Sequence, residues 1–344
     1  MRKFLTPTKD TTIYQAFPTN NAGLDEILEI GKAIDIVILE PRYSSSAARS
    51  LLYFDLPTTQ SVSSEAYYFL NLRLANATDV IRGQQILVYP ISRSWDEGSG
   101  FFYQNVQNVR DGATWRQLSS YTSWSLAGGD FITTSNSASV SLTTYPLEDL
   151  RIDVTNILRP IVSQSLQSTF YGLALQFPLA DETSSLNEGN IKVFSSQTHT
   201  IHAPTLEIAW DNQTYVTGSL TRPPSLDVKV VCSDIKEYYY KGDVSRISLT
   251  VRDEYPLRSF DSTLRYKNKY YLPSTSYYSI TDVQSNVEVV PFDSFSKINC
   301  DTNGAYINLD TSPLYKGRFY TLKFKIESGS YSRTINSNTL FKIV

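Results

Sequence analysis

Along much of the chain every second residue is apolar, the signature of a half-buried strand whose side chains alternate between core and solvent. Leu52, Phe54 and Leu56 form one such row, and Leu70, Leu72 and Leu74 alternate with Asn71 and Arg73. Ile152 and Val154 flank Asp153, and Leu173, Leu175 and Phe177 follow. The style continues with Leu206 and Ile208 around Glu207, then Val228, Val230 and Cys232, then Ile247, Leu249 and Val251. Near the end Tyr320, Leu322, Phe324 and Ile326 alternate with Lys323 and Lys325. Helix signal is scarce. The best candidate runs from Thr155 to Gln167, capped by Thr155 or Asn156, with Ile157, Leu158, Ile161 and Val162 as its apolar face and Pro160 in its first turn. Asp301-Thr302-Asn303-Gly304 reads as a hairpin, because Asn-Gly supplies the positive φ of a tight turn.

The segment Asp211 to Ser225 is polar, and Pro223-Pro224 removes two backbone donors and favours an extended path. The expected organisation is therefore all-β. Residues 1–212 form an N-terminal jelly-roll sandwich, 213–224 a linker, and 225–344 a C-terminal immunoglobulin-like β-sandwich.

Composition agrees: among 344 residues there are 24 Tyr and 16 Phe, and charged residues make up only 19%, a balance that favours strands. It also narrows the chemistry, since two His, two Cys and one Met leave little for imidazole catalysis, a multi-cysteine zinc site or a disulfide framework. Cys232 and Cys300 share inward parity with Val230 and Ile298 and read as reduced core thiols. The start, MRKFLTPTKDTT, has no apolar stretch or small-residue cleavage site, and no window reaches the ~20 apolar residues of a bilayer-spanning helix. Synthesis and folding in a cytosol are expected, without membrane insertion. Residues 1–210 carry 14 basic against 20 acidic side chains, and 211–344 carry 17 against 14. Neither half has the dense basic patch of a nucleic-acid binder.

Ten passages in order resemble the jelly-roll modules named for their DNRLRE motif, relatives of carbohydrate-binding modules. They are DTTIYQ, NAGLDEILEIG, RSLLYFDLP, LNLRL, ILVYPISRSWDEGSG, ATW, LRIDVT, YGLAL, VFSS and APTLEI, spanning nearly all of the first 210 residues. The resemblance departs at the naming motif, where RSLLYFDLP stands for R-x-LL-x-FDL, and in the Gln- and Asn-rich loop from Phe101 to Gly129. The whole chain is similar in style to virion structural proteins of large tailed bacteriophages. The passages carrying that likeness are Asp111 to Phe131, Tyr270 to Asp282 and Val289 to Asp301. This resemblance implies a virion component of neck, tail or baseplate, made in the host cytoplasm. Its partners would be other virion proteins and copies of itself. The alternative it implies is an adhesion module that recognises host surface polysaccharide.

Candidate sites follow from this. Trp95, Trp115 and Trp124, with Tyr103 and Tyr121, gather in loops where their faces would stack on sugar rings while Arg93 or Arg116 meets a carboxylate; the competing reading makes the indoles framework. Asn21, Asp25, Glu29 and Asp153 resemble the acid-rich edge at which related jelly rolls hold calcium, against the plainer reading of solvated charge, and no metal or cofactor is assigned. His199 and His202, three apart on a strand, point to opposite faces. Asp96-Glu97 and Glu148-Asp149 are adjacent acids that would point apart, unlike a glycosidase pair. No nucleophile elbow, zinc-protease or phosphate-loop motif occurs, so no enzyme is expected. Tyr238, Tyr239, Tyr240, Tyr277 and Tyr278, within a Tyr-rich stretch that includes Tyr266, are the candidate interface.

Overall fold

The computed structural model describes residues 1–34, 45–58, 62–102, 111–134, 136–143, 147–223, 225, 227–255 and 270–344. The chain divides into two compact units: Phe4–Ile208, and Ala209–Val344 together with Met1–Lys3. Both are β-sandwiches, so the all-β expectation stands as the structure of the protein.

In the first unit the strand Ser45–Tyr53 is the organising element. It pairs antiparallel with Ile27–Ile34 through its first half and with Lys9–Tyr14 and Leu173–Gln176 through its second. The sheet continues from Leu173–Gln176 to Gln85–Pro90 and Ala138–Ser141, and from Ile27–Ile34 to Gly189–Phe194 and Leu74–Thr78. A facing sheet includes Thr205–Ala209 beside Tyr67–Leu72, with Leu150–Asp153 beyond. The alternating rows read from the sequence supply the interior: Leu52, Phe54, Leu70, Leu72, Leu173, Leu175, Phe177, Leu206 and Ile208 are all fully buried. Tyr67–Leu72 and Leu150–Asp153 are consequently wet on one face and dry on the other, whereas Leu173–Gln176 and most of Thr205–Ala209 are buried on both.

The helix is shorter than the apolar face suggests. It covers Thr155–Ser163, with Pro160 inside rather than in the first turn. Proline removes one i to i−4 bond, and three residues later the helix stops at a turn closed by Ser165 in the left-handed region, φ 57°. Neither Thr155 nor Asn156 is the cap. Asp153 Oδ1 accepts the Thr155 N–H at 2.9 Å, and Thr155 Oγ1 instead accepts the Tyr68 N–H at 2.9 Å, tying helix to sheet.

The second unit has one sheet in the order Val228–Cys232, Val244–Asp253, Gly304–Asp310, Asn299–Asp301. The other runs Tyr238–Tyr239, Tyr331–Ile343, Phe319–Ser328, Ser276–Asp282, Glu288–Val290. Tyr238–Tyr239 pairs parallel to the last strand while its neighbours pair antiparallel, which gives the strand order of an immunoglobulin-like sandwich. Tyr320, fully buried at the start of its strand, accepts the Tyr315 N–H on its hydroxyl at 2.7 Å. This is the tyrosine corner of such folds, a buried hydroxyl that fixes the preceding turn. Cys232 and Cys300 are free and buried. The hairpin at Asp301–Gly304 is present, with Asn299–Asp301 paired to Gly304–Asp310 and Gly304 at φ 137°.

The expected linker, 213–224, is instead fastened to the second unit as far as Thr221. Val216 N–H bonds Cys300 O and Cys300 N–H bonds Thr214 O, both at 2.9 Å; Tyr215 OH reaches Leu272 O at 2.7 Å and Tyr271 N–H reaches Thr221 O at 3.2 Å. The polar residues that made this stretch read as solvated satisfy the open edge of the Asn299–Asp301 strand. Pro224 lies outside the described residues.

Candidate functional site

The three tryptophans that would have formed a sugar platform face inward. Trp95, Trp115 and Trp124 are 2%, 8% and 5% exposed and pack with Ile13, Leu51, Ile91 and Leu118. Each indole is held. Trp95 Nε1 donates to Tyr171 O at 2.8 Å and Trp124 Nε1 to Thr114 O at 2.9 Å, while the Arg49 guanidinium lies 4.8 Å from the Trp115 ring and 5.5 Å from Phe131. The reason is size and polarity: a buried indole keeps its place when its N–H finds a carbonyl, as in Trp95 and Trp124, or when its face meets a cation, as Trp115 meets Arg49. Rings this deeply buried form no exposed stacking platform, and the glycan-stacking assignment is corrected to framework.

The accompanying cations divide. Arg93 is committed to Asp130 at 3.2 Å. Burial would raise that carboxyl, but N–H bonds from Ser125 and Leu126 hold it below the usual carboxylate range. Arg116 is exposed, as is Tyr121; Tyr103 lies outside the described residues.

Arg49, which the sequence showed only as part of a strand motif, is the hub of this region. It donates to Gly128 O at 2.7 Å and pairs with Glu182 at 2.5 Å, both side chains almost buried. Burial pushes the Glu182 carboxyl up against the pull of Arg49.

The four residues considered for calcium are each engaged separately. Asn21 donates to Glu97 O and Ala113 O and accepts the Gly100 N–H; Asp25 accepts the Phe102 N–H; Glu29 accepts Asn190 Nδ2 and pairs with Lys192; Asp153 holds the helix start. Among the described residues no group of three His, Cys, Asp or Glu is arranged to hold a metal. His199 is exposed beside Glu26, and His202 lies against the Phe194 ring. Asp149 pairs with Arg73 at 2.5 Å, and Asp96 is exposed.

An acid the sequence reading passed over is Asp10, buried at the start of a strand. It accepts Ser196 N–H at 2.6 Å and Ser196 Oγ at 2.9 Å, and burial pushes it up to about 7. Its own N–H donates to Glu97 Oε1 at 2.9 Å. A single Asp before Thr-Thr-Ile-Tyr carries no signal of such burial.

The candidate tyrosines sort by strand parity. Tyr239 is buried, its hydroxyl accepting Lys236 N–H and its ring edge-on to Phe341; Tyr277 and Tyr278 are half-buried, and Tyr266 lies outside the described residues. Tyr278 packs on the core and is withdrawn as a contact residue with Tyr239, because inward parity commits them to the sandwich. Tyr277, half-buried on the opposite face of its strand, stays a candidate, and Tyr238 and Tyr240 are the most open, 52% and 70% exposed. Tyr238 lies beside Lys342 in the parallel pair, Phe319 lies beside Lys342 on the other side, and Leu340 pairs with Thr321. Tyr239, Phe341, Ile343 and Tyr320 point inward, so Tyr238, Tyr240, Leu340 and Phe319 form one outward apolar row around Lys342, whose ammonium sits 5.3 Å from the Phe319 ring.

The class this defines is a two-sandwich, all-β protein. No protein-family model matches the chain, and no curated protein matches it. Among solved structures it is similar to a β-glucuronidase of Parabacteroides merdae at 8% identity and a TM-score of 0.24, over 98% of this chain and 35% of that one. The chain thus spans about a third of that protein's length, and a likeness at this level carries no argument about fold or activity.

Proposed function

We propose that the chain is a non-enzymatic structural component of a tailed-phage virion, in its neck, tail or baseplate, where it docks to neighbouring virion proteins and to copies of itself. The observation that carries the reading is the outward row of Tyr238, Tyr240, Leu340 and Phe319 around Lys342. Exposed tyrosines give wide contact area with a polar tip and little conformational entropy to lose, the composition expected at the centre of an interface. A modest patch is sufficient in a ring or stack, because many copies supply avidity. The setting comes from the likeness of the whole chain to phage structural proteins. No reaction is assigned to it. The competing adhesion reading loses its tryptophan platform to the core.

The test is mass spectrometry of purified particles of the phage that encodes the chain. The reading expects it at a fixed ratio to the other structural proteins; its absence from washed, infectious particles refutes the assignment.

A further inference from the structure

Two loop clusters of the first unit expose large apolar side chains to solvent. In one, the turn after Leu74–Thr78 meets the short helix Leu179–Glu182 and the residues that follow it, and Ile81, Leu179 and Leu186 are each more than half exposed. Polar contacts hold these segments together: Gln84 Nε2 donates to Asp181 at 2.8 Å, Asn187 Nδ2 donates to Asp79 at 3.2 Å, and Glu182 anchors the helix on Arg49. Residues 187–189 lie close against the turn, which needs the glycine there: a Cβ on Gly189 would stand 2.7 Å from Val80 Cα. The apolar side chains are thus carried on a fixed base. In the other cluster Tyr121 and Leu126 share a loop with the exposed Arg116, and the one acid of residues 112–132, Asp130, is buried on Arg93.

Charge decides which of the two fits the tyrosine row. Around the row Lys236, Lys241, Lys316 and Lys342 stand against Glu237 and Asp243. Bringing two rows together across a two-fold axis would crowd these ammoniums, and Arg116 would repel them as well. At the surface of the cluster of Ile81, Leu179 and Leu186 stand Asp79 and Asp181 against Arg82, while Glu182 and Glu188 lie behind them with Arg49 and Lys32. We propose that the tyrosine row of one copy docks on this acidic, apolar cluster of another. Apolar side chains meet at the centre, and Lys342 faces Asp181 at the rim. The inference rests on the reading of the row as a docking surface and names its partner. Because the two faces differ, the contact is heterologous: a pair leaves one row and one cluster unused, and association continues copy by copy.

Sedimentation velocity on the full chain tests it, at concentrations up to about 1 mM, where a contact with a millimolar Kd shows. Two variants accompany the unmodified chain: Tyr238→Ser with Tyr240→Ser, which removes the row, and Leu179→Ser with Leu186→Ser, which removes the cluster. Lys342→Glu stands in for the first and Leu186→Lys for the second if either fails to fold. The unmodified chain is expected to grow past the dimer as concentration rises. Each variant alone is expected to associate at least tenfold more weakly, and a mixture of the two to form a one-to-one dimer, because one intact face of each kind remains. An unmodified chain that stays monomeric throughout, a mixture that does so, or a cluster variant that associates as well as the unmodified chain overturns the proposal. None of these outcomes touches the chain's presence in particles, so the pairing and the docking reading fail separately.

Discussion

The two sandwiches solve the same packing problem with different means. In the first, long connections must be pinned to the sheets, and the pins are polar: Arg49 with Glu182 and Gly128, Asp10 with Ser196, and Asn21 with the backbone of residues 97–113. In the second, sheet interiors of Val228, Ile247, Ile307, Leu322, Phe324 and Phe341 close over one another, and the Tyr320 hydroxyl, the Thr311 hydroxyl and the Arg318–Asp282 pair fasten its turns. Polar pins are costly to break because the abandoned partner stays buried. The first unit should therefore be the one whose stability falls between about pH 4 and 7 and that suffers most from losing a single polar pin.

The largest effect is expected from Arg49→Ala. It strands the nearly buried Glu182 and uncovers Trp115, so the first unit should lose about 3–5 kcal/mol, read as an earlier transition in calorimetry while the second unit's transition stays in place. An unchanged first transition would erase the contrast.

Next comes pH. The Asp10 carboxyl titrates near 3.8 when unfolded and at about 7 when folded, so across that window the folded state holds a proton that the unfolded state has released. The first unit's stability should then fall as pH rises from about 4 to 7, by up to about 1.4 kcal/mol per pH unit from this one group, and level off above. Asp10→Asn, which mimics the protonated acid, should make the slope shallower, leaving the part due to Asp25, which burial pushes up to about 6; a wild-type profile without that slope contradicts the reading.

Tyr320→Phe should cost the second unit about 1–3 kcal/mol, because the Tyr315 N–H loses its acceptor. Chemical denaturation followed on that unit's transition measures it, and a cost above that of Arg49→Ala would reverse the comparison. Smallest in stability is Tyr238→Ser with Tyr240→Ser, expected within about 0.5 kcal/mol because both side chains are exposed.

What the sequence makes legible follows the same division. Period-two alternation identifies strands whose partners are apolar, which is why Leu70 and Leu72, or Tyr320 to Ile326, are readable in advance. Loops give no such period. For Trp95, Trp115 and Trp124, which sit among polar residues, the sequence offered both a stacking face and a framework role; their burial depends on carbonyls of Tyr171 and Thr114 and on the Arg49 side chain. Asp10 and Arg49 are hidden for the same reason, since their partners lie 186 and 133 residues away. Tyr320 had a usable signal, a Tyr at the first inward position of a strand two residues before another inward residue. For the tyrosine row, parity within Tyr238-Tyr239-Tyr240 gives the alternation, and only the pairing with Lys342 says which members face out.

The most direct test of the docking claim is quantitative mass spectrometry of purified particles assembled with the Tyr238→Ser, Tyr240→Ser chain beside particles assembled with the unmodified one. The account predicts that the folded variant's copy number falls at least tenfold; incorporation equal to that of the unmodified chain would contradict it.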